Sequence, residues 1–186
     1  MIDVALTYIR DEVANYLVGL LDEDIKLANA HILKDHNDVK DVVFISLVNV
    51  EHEALTKNVP HTVRIDDETK YKEPPTQLNL YVLFSFKFDD YDAALTHLSK
   101  TIERFQSKRL YDRNHETQGI PFPASLERLT FEICNLNFEQ LNHLWGVLGG
   151  GYFPSILYKV RTVSIQADQE LPVEEITTLV LDTRVQ

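Results

Sequence analysis

Residues 144–161 read LWGVLGGGYFPSILYKVR, from Leu144 to Arg161, and this stretch decides the fold. Leu144, Trp145 and Leu148 continue an apolar stripe begun by Phe138 and Leu141, so the stretch opens inside an amphipathic helix. Asn137 and Gln140 stand where a capping box needs them to start that helix. Gly149 supplies the left-handed residue that stops it. Pro154 fixes a corner, and Ile156–Gln166 then has the β-branched and aromatic content of a core strand. Lys159 and Arg161 stand two apart in that strand, so they share a face with Leu157, Val163 and Ile165. Cations on a largely apolar face need carboxylate or carbonyl partners, either within the subunit or across an interface.

Working outward, Leu78–Phe88 alternates. Leu78, Leu80, Val82, Phe84, Phe86 and Phe88 lie on one face, and Asn79, Tyr81, Ser85 and Lys87 on the other. Asp89 or Asp90 caps a following helix with the stripe Tyr91, Leu95, Leu98, Ile102 and Phe105. Leu129, Phe131 and Ile133 line one face of a further strand. Val42–Glu51 is apolar on both faces at first, which suits a central strand. Ile2, Leu6, Ile9, Val13, Leu17 and Leu20 make a first amphipathic helix, ended by Asp22-Glu23-Asp24. A short strand is expected near Ile25–Leu33, a turn at 35–38, and another strand at Ile176–Val185. Two segments, 53–77 and 111–123, read as irregular: arms that touch a partner, or plain solvent loops. The order predicts an α/β (α+β) single domain, a mixed, mainly antiparallel sheet with about three helices packed on it.

Composition narrows the chemistry. The 186 residues carry a formal net charge of −11, and the basic run Lys100, Arg104, Lys108, Arg109 is broken by Glu103, so no nucleic-acid partner is expected. No apolar run approaches the roughly 20 residues that span a bilayer, so no membrane partner is expected either. The N-terminus, with Asp3, Asp11 and Glu12, is not a secretory signal. Cys134 is the only cysteine; it excludes an internal disulfide and reads as a small core filler. His52-Glu53 begins a zinc-protease pattern, but Thr56 stands where the second histidine must be. The triple glycine 149–151 follows a helix and precedes a strand, the reverse of a phosphate loop. Ser155 lacks the glycine-flanked elbow of a hydrolase. No catalytic, cofactor-binding or metal-ligating residue emerges, and no enzyme is expected.

With these residues in view, the chain resembles the tube-terminator, or cap, family of extracellular contractile injection systems, phage-tail-like particles in which a sheath surrounds an inner tube. The resemblance rests on motifs in order. They are Ile2–Leu6, Ser46–Glu51 with Asn58, Pro74–Ser85 (PPTQLNLYVLFS), and Tyr91, Leu95, Leu98, Ser99, Ile102, Phe105 and Gln106. The last is Leu144-Trp145-Gly146, then Gly149, Tyr152, Pro154 and Ser155, closing on Tyr158-Lys159-Val160-Arg161. It covers a terminator-like domain over residues 1–166 and leaves 167–186 as a tail, an extra strand or an interface arm.

The resemblance implies the fold of phage tail terminators and a ring, usually six-fold, on the distal tube end. That ring ends tube polymerisation and joins the tube to the last sheath layer. The implied partners are further copies of the chain, the inner tube protein and the sheath protein; no cofactor is implied. The implied location is the cytoplasm during assembly, then a particle released outside the cell. Trp145, Gly149, Tyr152, Pro154, Ser155, Tyr158, Lys159 and Arg161 form its structural motif. Asn58, Arg113, Phe122, Lys159 and Arg161 are the candidate subunit, tube or sheath contacts. An alternative from another class is a small-molecule- or peptide-binding module using the sheet face near Lys159 and Arg161.

Overall fold

Strands that are apolar on both faces need covering on both sides, and helices from separate parts of this chain provide it. The computed structural model describes residues 1–17, 24–29, 41–53, 62–65, 68–72, 76–149, 151–165 and 170–172. Its elements, in chain order, are α1 (Ile2–Tyr16), β1 (Ile25–Leu27), β2 (Val42–His52), β3 (Thr62–Ile65), β4 (Glu68–Lys72), β5 (Thr76–Lys87), α2 (Tyr91–Ser107), β6 (Leu110–Tyr111), β7 (Leu129–Ile133), α3 (Phe138–Val147), β8 (Ser155–Ile165) and β9 (Glu170–Pro172). A six-stranded sheet has the order β1-β2-β5-β8-β7-β6, and β3-β4-β9 form a smaller one. Only β1 runs parallel to its neighbour; the other described pairs are antiparallel.

The first face of the large sheet carries Val43, Ile45, Leu80, Val82, Phe84, Phe86, Phe131 and Val160, packed with Ala5, Ile9 and Val13 of α1 and Ala94 and Phe105 of α2. Phe105 stacks on Phe131 at 4.2 Å and meets Phe84 and Tyr158 at 5.5 and 5.1 Å. Aromatic pairs at such separations add attraction beyond their buried area. The second face carries Val42, Phe44, Leu83 and Leu157 against Trp145 of α3, with Cys134 half-buried beside them. The expected mixed, mainly antiparallel sheet with three helices is what the described residues form.

The two helix caps form as expected. Asp90 accepts from the Asp92 N–H at 3.2 Å. Asn137 accepts from Gln140 N–H at 2.8 Å, while Gln140 Oε1 accepts from Asn137 N–H at 3.0 Å.

Several expectations need correction. The first helix closes at Tyr16, where Leu17 N–H bonds Val13 O at 2.9 Å, and Leu20 lies outside the described residues, as do the turn at 35–38 and the strand at 176–185. Segment 53–77 is not wholly irregular. It holds the β3–β4 hairpin, with Thr62 opposite Tyr71 and Ile65 opposite Glu68, and the start of β5. Its polar residues hide the strands from a periodicity reading, although backbone pairing is open to any side chain. In β5 the expected polar face is covered too, since Asn79, Leu83 and Ser85 are buried. The buried stripe of α2 is Ala94, Leu98, Thr101 and Phe105, rotated away from the exposed Tyr91 and Leu95. Phe138 is 92% exposed, because it opens α3 ahead of the turn that reaches the sheet.

Candidate functional site

Two adjacent irregularities shape the second face of the sheet below α3. Leu47 pairs with Val82, yet Asn49 pairs with Tyr81, so β2 holds one extra residue. Leu80 pairs with Val160 and Leu78 with Val163, so β8 holds one as well. Bulges re-aim the side chains that follow them. Beyond the first, Asn49 and Glu51 fall on the face of Tyr81 and Lys159, where unbroken alternation would put them with Ile45.

The result is a polar strip across four strands. Lys159 Nζ donates to Glu51 Oε2 at 2.6 Å, Tyr81 OH donates to the same oxygen at 2.9 Å, and Lys159 lies 5.5 Å from the Tyr81 ring centroid. Arg161 Nη2 pairs with Glu132 Oε2 at 2.8 Å, and Asn79 donates to Glu53 Oε2 at 2.8 Å. The Lys159 hydrogen bond, followed by that of Tyr81, holds the Glu51 carboxyl below its ordinary range. The reverse contact raises the Lys159 ammonium, and donation to Glu51 raises the Tyr81 phenol. Lys159 and Arg161 thus find their carboxylates within the subunit. Both cations are already neutralised, so the strip is not a free anion site.

The rest of the 144–161 motif sets the corner beside this strip. Gly149 takes φ 106°, and Trp145 is buried, its ring 6.0 Å from those of the exposed Tyr152 and the half-buried Phe153. Pro154 O accepts Phe86 N–H at 2.9 Å, Ser155 opens β8 opposite Ser85, and Tyr158 enters the first-face core. Burial pushes the Tyr158 phenol up to about 12.

On the other side of the sheet, a second polar cluster fixes the loop 112–123. Glu12, 1% exposed, accepts from Arg104, from Tyr8 OH at 2.6 Å and from Thr117 Oγ1 at 2.6 Å. Thr117 Oγ1 also accepts from Arg104 Nη2 at 2.9 Å and Lys108 Nζ at 2.8 Å. Lys108 lies 4.4 Å from the Tyr111 ring centroid, and burial lowers its ammonium. Burial, with the Glu12 hydrogen bond second, raises the Tyr8 phenol.

Phe122 corrects an expectation. It is 5% exposed and meets the Tyr8 ring edge-on at 5.1 Å, so it anchors the loop and offers no contact surface. Arg113 is exposed and braces the loop through Ala124 O at 2.6 Å. Asn58 lies outside the described residues. The Glu12–Arg104–Thr117 cluster was not read from the sequence, because its bonds join residues 92 and 105 positions apart. One signal was available: Glu12 sits in the buried stripe between Ile9 and Val13. Among the described residues no group of three acidic, histidine or cysteine side chains could hold a metal, and no helix is long and apolar enough to cross a membrane.

Comparison with known proteins gives this geometry a context. The family model described as the Pvc16 N-terminal domain matches residues 5–178. Among solved structures, the cryo-EM sheath/tube terminator of PVC, an extracellular contractile injection system, in its extended state is similar with a TM-score of 0.65 at 13% identity, covering 100% of this chain and 65% of that one. The anti-feeding prophage tube-terminating cap is similar with a TM-score of 0.65 at 13% identity, covering 97% of this chain and 60% of that one. This chain therefore spans 65% and 60% of the lengths of those two proteins, and at this identity the likeness is one of fold. No curated protein matches the chain.

Proposed function

This chain belongs to the Pvc16 N-terminal domain family, and from that premise we propose that it caps the inner tube of a contractile injection system. The observation that carries the proposal is the family match over residues 5–178, joined to a fold shared with two tube terminators. The role is structural, and its chemistry is contact. In this reading the chain closes as a ring, six copies around, on the distal tube end. There it stops tube growth and links the tube to the last sheath layer. Its partners are its own copies, the tube protein and the sheath protein, in a particle assembled in the cytoplasm and then released. In the same reading residues 1–166 are the terminator-like domain and 167–186 a tail that serves as an extra strand, to which β9 against β4 lends support, or as an interface arm.

Within that frame, we take Asn58, Arg113 and the Lys159–Arg161 strip as the candidate contact surfaces. A ring requires two different patches that meet head to tail. The braced loop 112–123 and the strip lie on opposite sides of the sheet, which supports such an arrangement. The internal pairing of Lys159 and Arg161 speaks against the alternative of a small-molecule or peptide module using those cations.

Particles made without this protein test the proposal. Electron micrographs should show tubes of irregular length with the sheath detached at the distal end. Tubes of uniform length with the sheath in place would overturn it.

A further inference from the structure

At one edge of the large sheet, β6 is two residues long and covers only Leu129 and Thr130 of the five-residue β7. Phe131 N–H still reaches Arg109 O at 3.2 Å, but the residues before Lys108 belong to the end of α2. Among the described residues, therefore, no strand lies outside Ile133.

Alternation settles where the Ile133 backbone points. Cys134 N–H bonds Leu157 O of β8 at 2.9 Å, while Phe131 N–H is turned to the β6 side. Ile133 shares the orientation of Phe131, so its N–H and C=O face outward, with no strand to meet them. Unpaired groups at a sheet edge are a template for another chain.

The open slot borders a cavity of about 300 Å³. Phe105, Phe131 and Tyr158 line it with rings, and Ile133, 45% exposed, adds an aliphatic wall. Its polar margin is Gln106 and Arg109. Among the described residues the Arg109 guanidinium pairs with no carboxylate. Glu132 also borders the cavity, but it shares the face of Lys159 and its carboxylate is held by Arg161 at 2.8 Å.

These features together select the occupant. The free edge calls for backbone, the ring-lined cavity for an apolar side chain, and the unpaired guanidinium for a carboxylate. Direction adds a further constraint. A strand laid antiparallel to β7 runs in line with β6 and meets the end of α2 and Arg109 head-on. It has nowhere to continue, so the carboxylate that arrives at Arg109 is the one that ends the chain.

We propose that this edge binds the C-terminal residue of a partner protein. Its apolar side chain fills the cavity, its carboxylate is shared by Ile133 N–H and Arg109, and its own N–H donates to Ile133 O. The site goes beyond the capping reading and does not depend on it.

The full chain is titrated with labelled pentapeptides of one sequence, and binding is followed by fluorescence anisotropy. One ends in leucine with a free carboxylate, a second is its C-terminal amide, a third is N-methylated at that leucine, and a fourth ends in serine. The first should bind at least about tenfold more tightly than each of the others, and more weakly as salt is raised. The Arg109→Gln variant, with an unchanged circular dichroism spectrum, should lose about tenfold for the first peptide and nothing for the amide. Equal binding of acid and amide, indifference to Arg109→Gln, or no binding of any peptide would overturn the proposal. So would full affinity for the N-methylated peptide, which would leave the edge unused, or for the serine peptide, which would leave the cavity empty.

Discussion

A buried carboxylate is the most consequential single residue in this molecule. Glu12 has no contact with water to fall back on, so its charge is balanced by Arg104 and its oxygens by Tyr8 and Thr117. Removing one member of a buried pair strands the other, at a cost of roughly 3–5 kcal/mol. Arg104→Ala is therefore expected to lower the stability measured by urea denaturation by about that amount. Replacing both partners with apolar residues of similar size should recover most of it, since the pair's own net contribution is small. A single variant as stable as the wild type would show that the cluster does not bear on folding. Phe122 teaches the complementary lesson. Its neighbours Pro121 and Pro123 made it look like part of a surface arm, yet the same rigidity presses its ring into the aromatic core beside Tyr8.

Among the elements, α3 and its exit are the most completely specified by local sequence. Gly149 at φ 106° occupies a region that an L side chain enters only with strain of roughly 1–2 kcal/mol. Gly149→Ala should lower the melting temperature accordingly, whereas Gly146→Ala, whose added methyl would meet nothing within 4 Å, should leave it unchanged or raise it. Equal effects at the two positions would refute the positional argument. This helix, the caps of α2 and α3, and the long strands β2, β5 and β8 were legible because each is governed by neighbours in sequence: alternation, a capping side chain, a left-handed glycine. The β3–β4 hairpin and the polar strip were not. The hairpin is polar and pairs through backbone, and the strip gains Glu51 only because the bulge in β2 turns that residue onto the face of Tyr81 and Lys159. The rotated stripe of α2 was missed for a similar reason: which side of a helix is buried depends on the sheet it lands on.

At the scale of the whole molecule, stability should have two pH limits with different origins. Tyr8, Tyr111 and Tyr158 keep their protons in the folded state above the ordinary value of 10.0, Tyr158 up to about 12, chiefly because burial disfavours the phenolate. The unfolded chain releases those protons first, so stability is full below pH 10 and falls as pH rises beyond it. Glu51 behaves oppositely. Its carboxyl is held below 4.5 by Lys159, so its contribution is present above that value and lost as pH falls through the lowered one. Melting temperature against pH should show a plateau bounded on both sides, and Glu51→Gln should remove part of the acid slope while leaving the alkaline one. An alkaline slope that begins well below pH 10 would contradict the tyrosine assignment. The bulge in β2 carries a different consequence, about length. Between Leu47 and Asn49 the strand holds one residue more than β5 requires, and that surplus is slack. Deleting Val48 would draw the ladder straight while Val50 and Glu51 keep their sides. The same deletion between Val43 and Ile45 would exchange inside for outside until the slack was taken up. Here, as at the matching surplus in β8, a core strand can shorten by a single link without turning itself inside out.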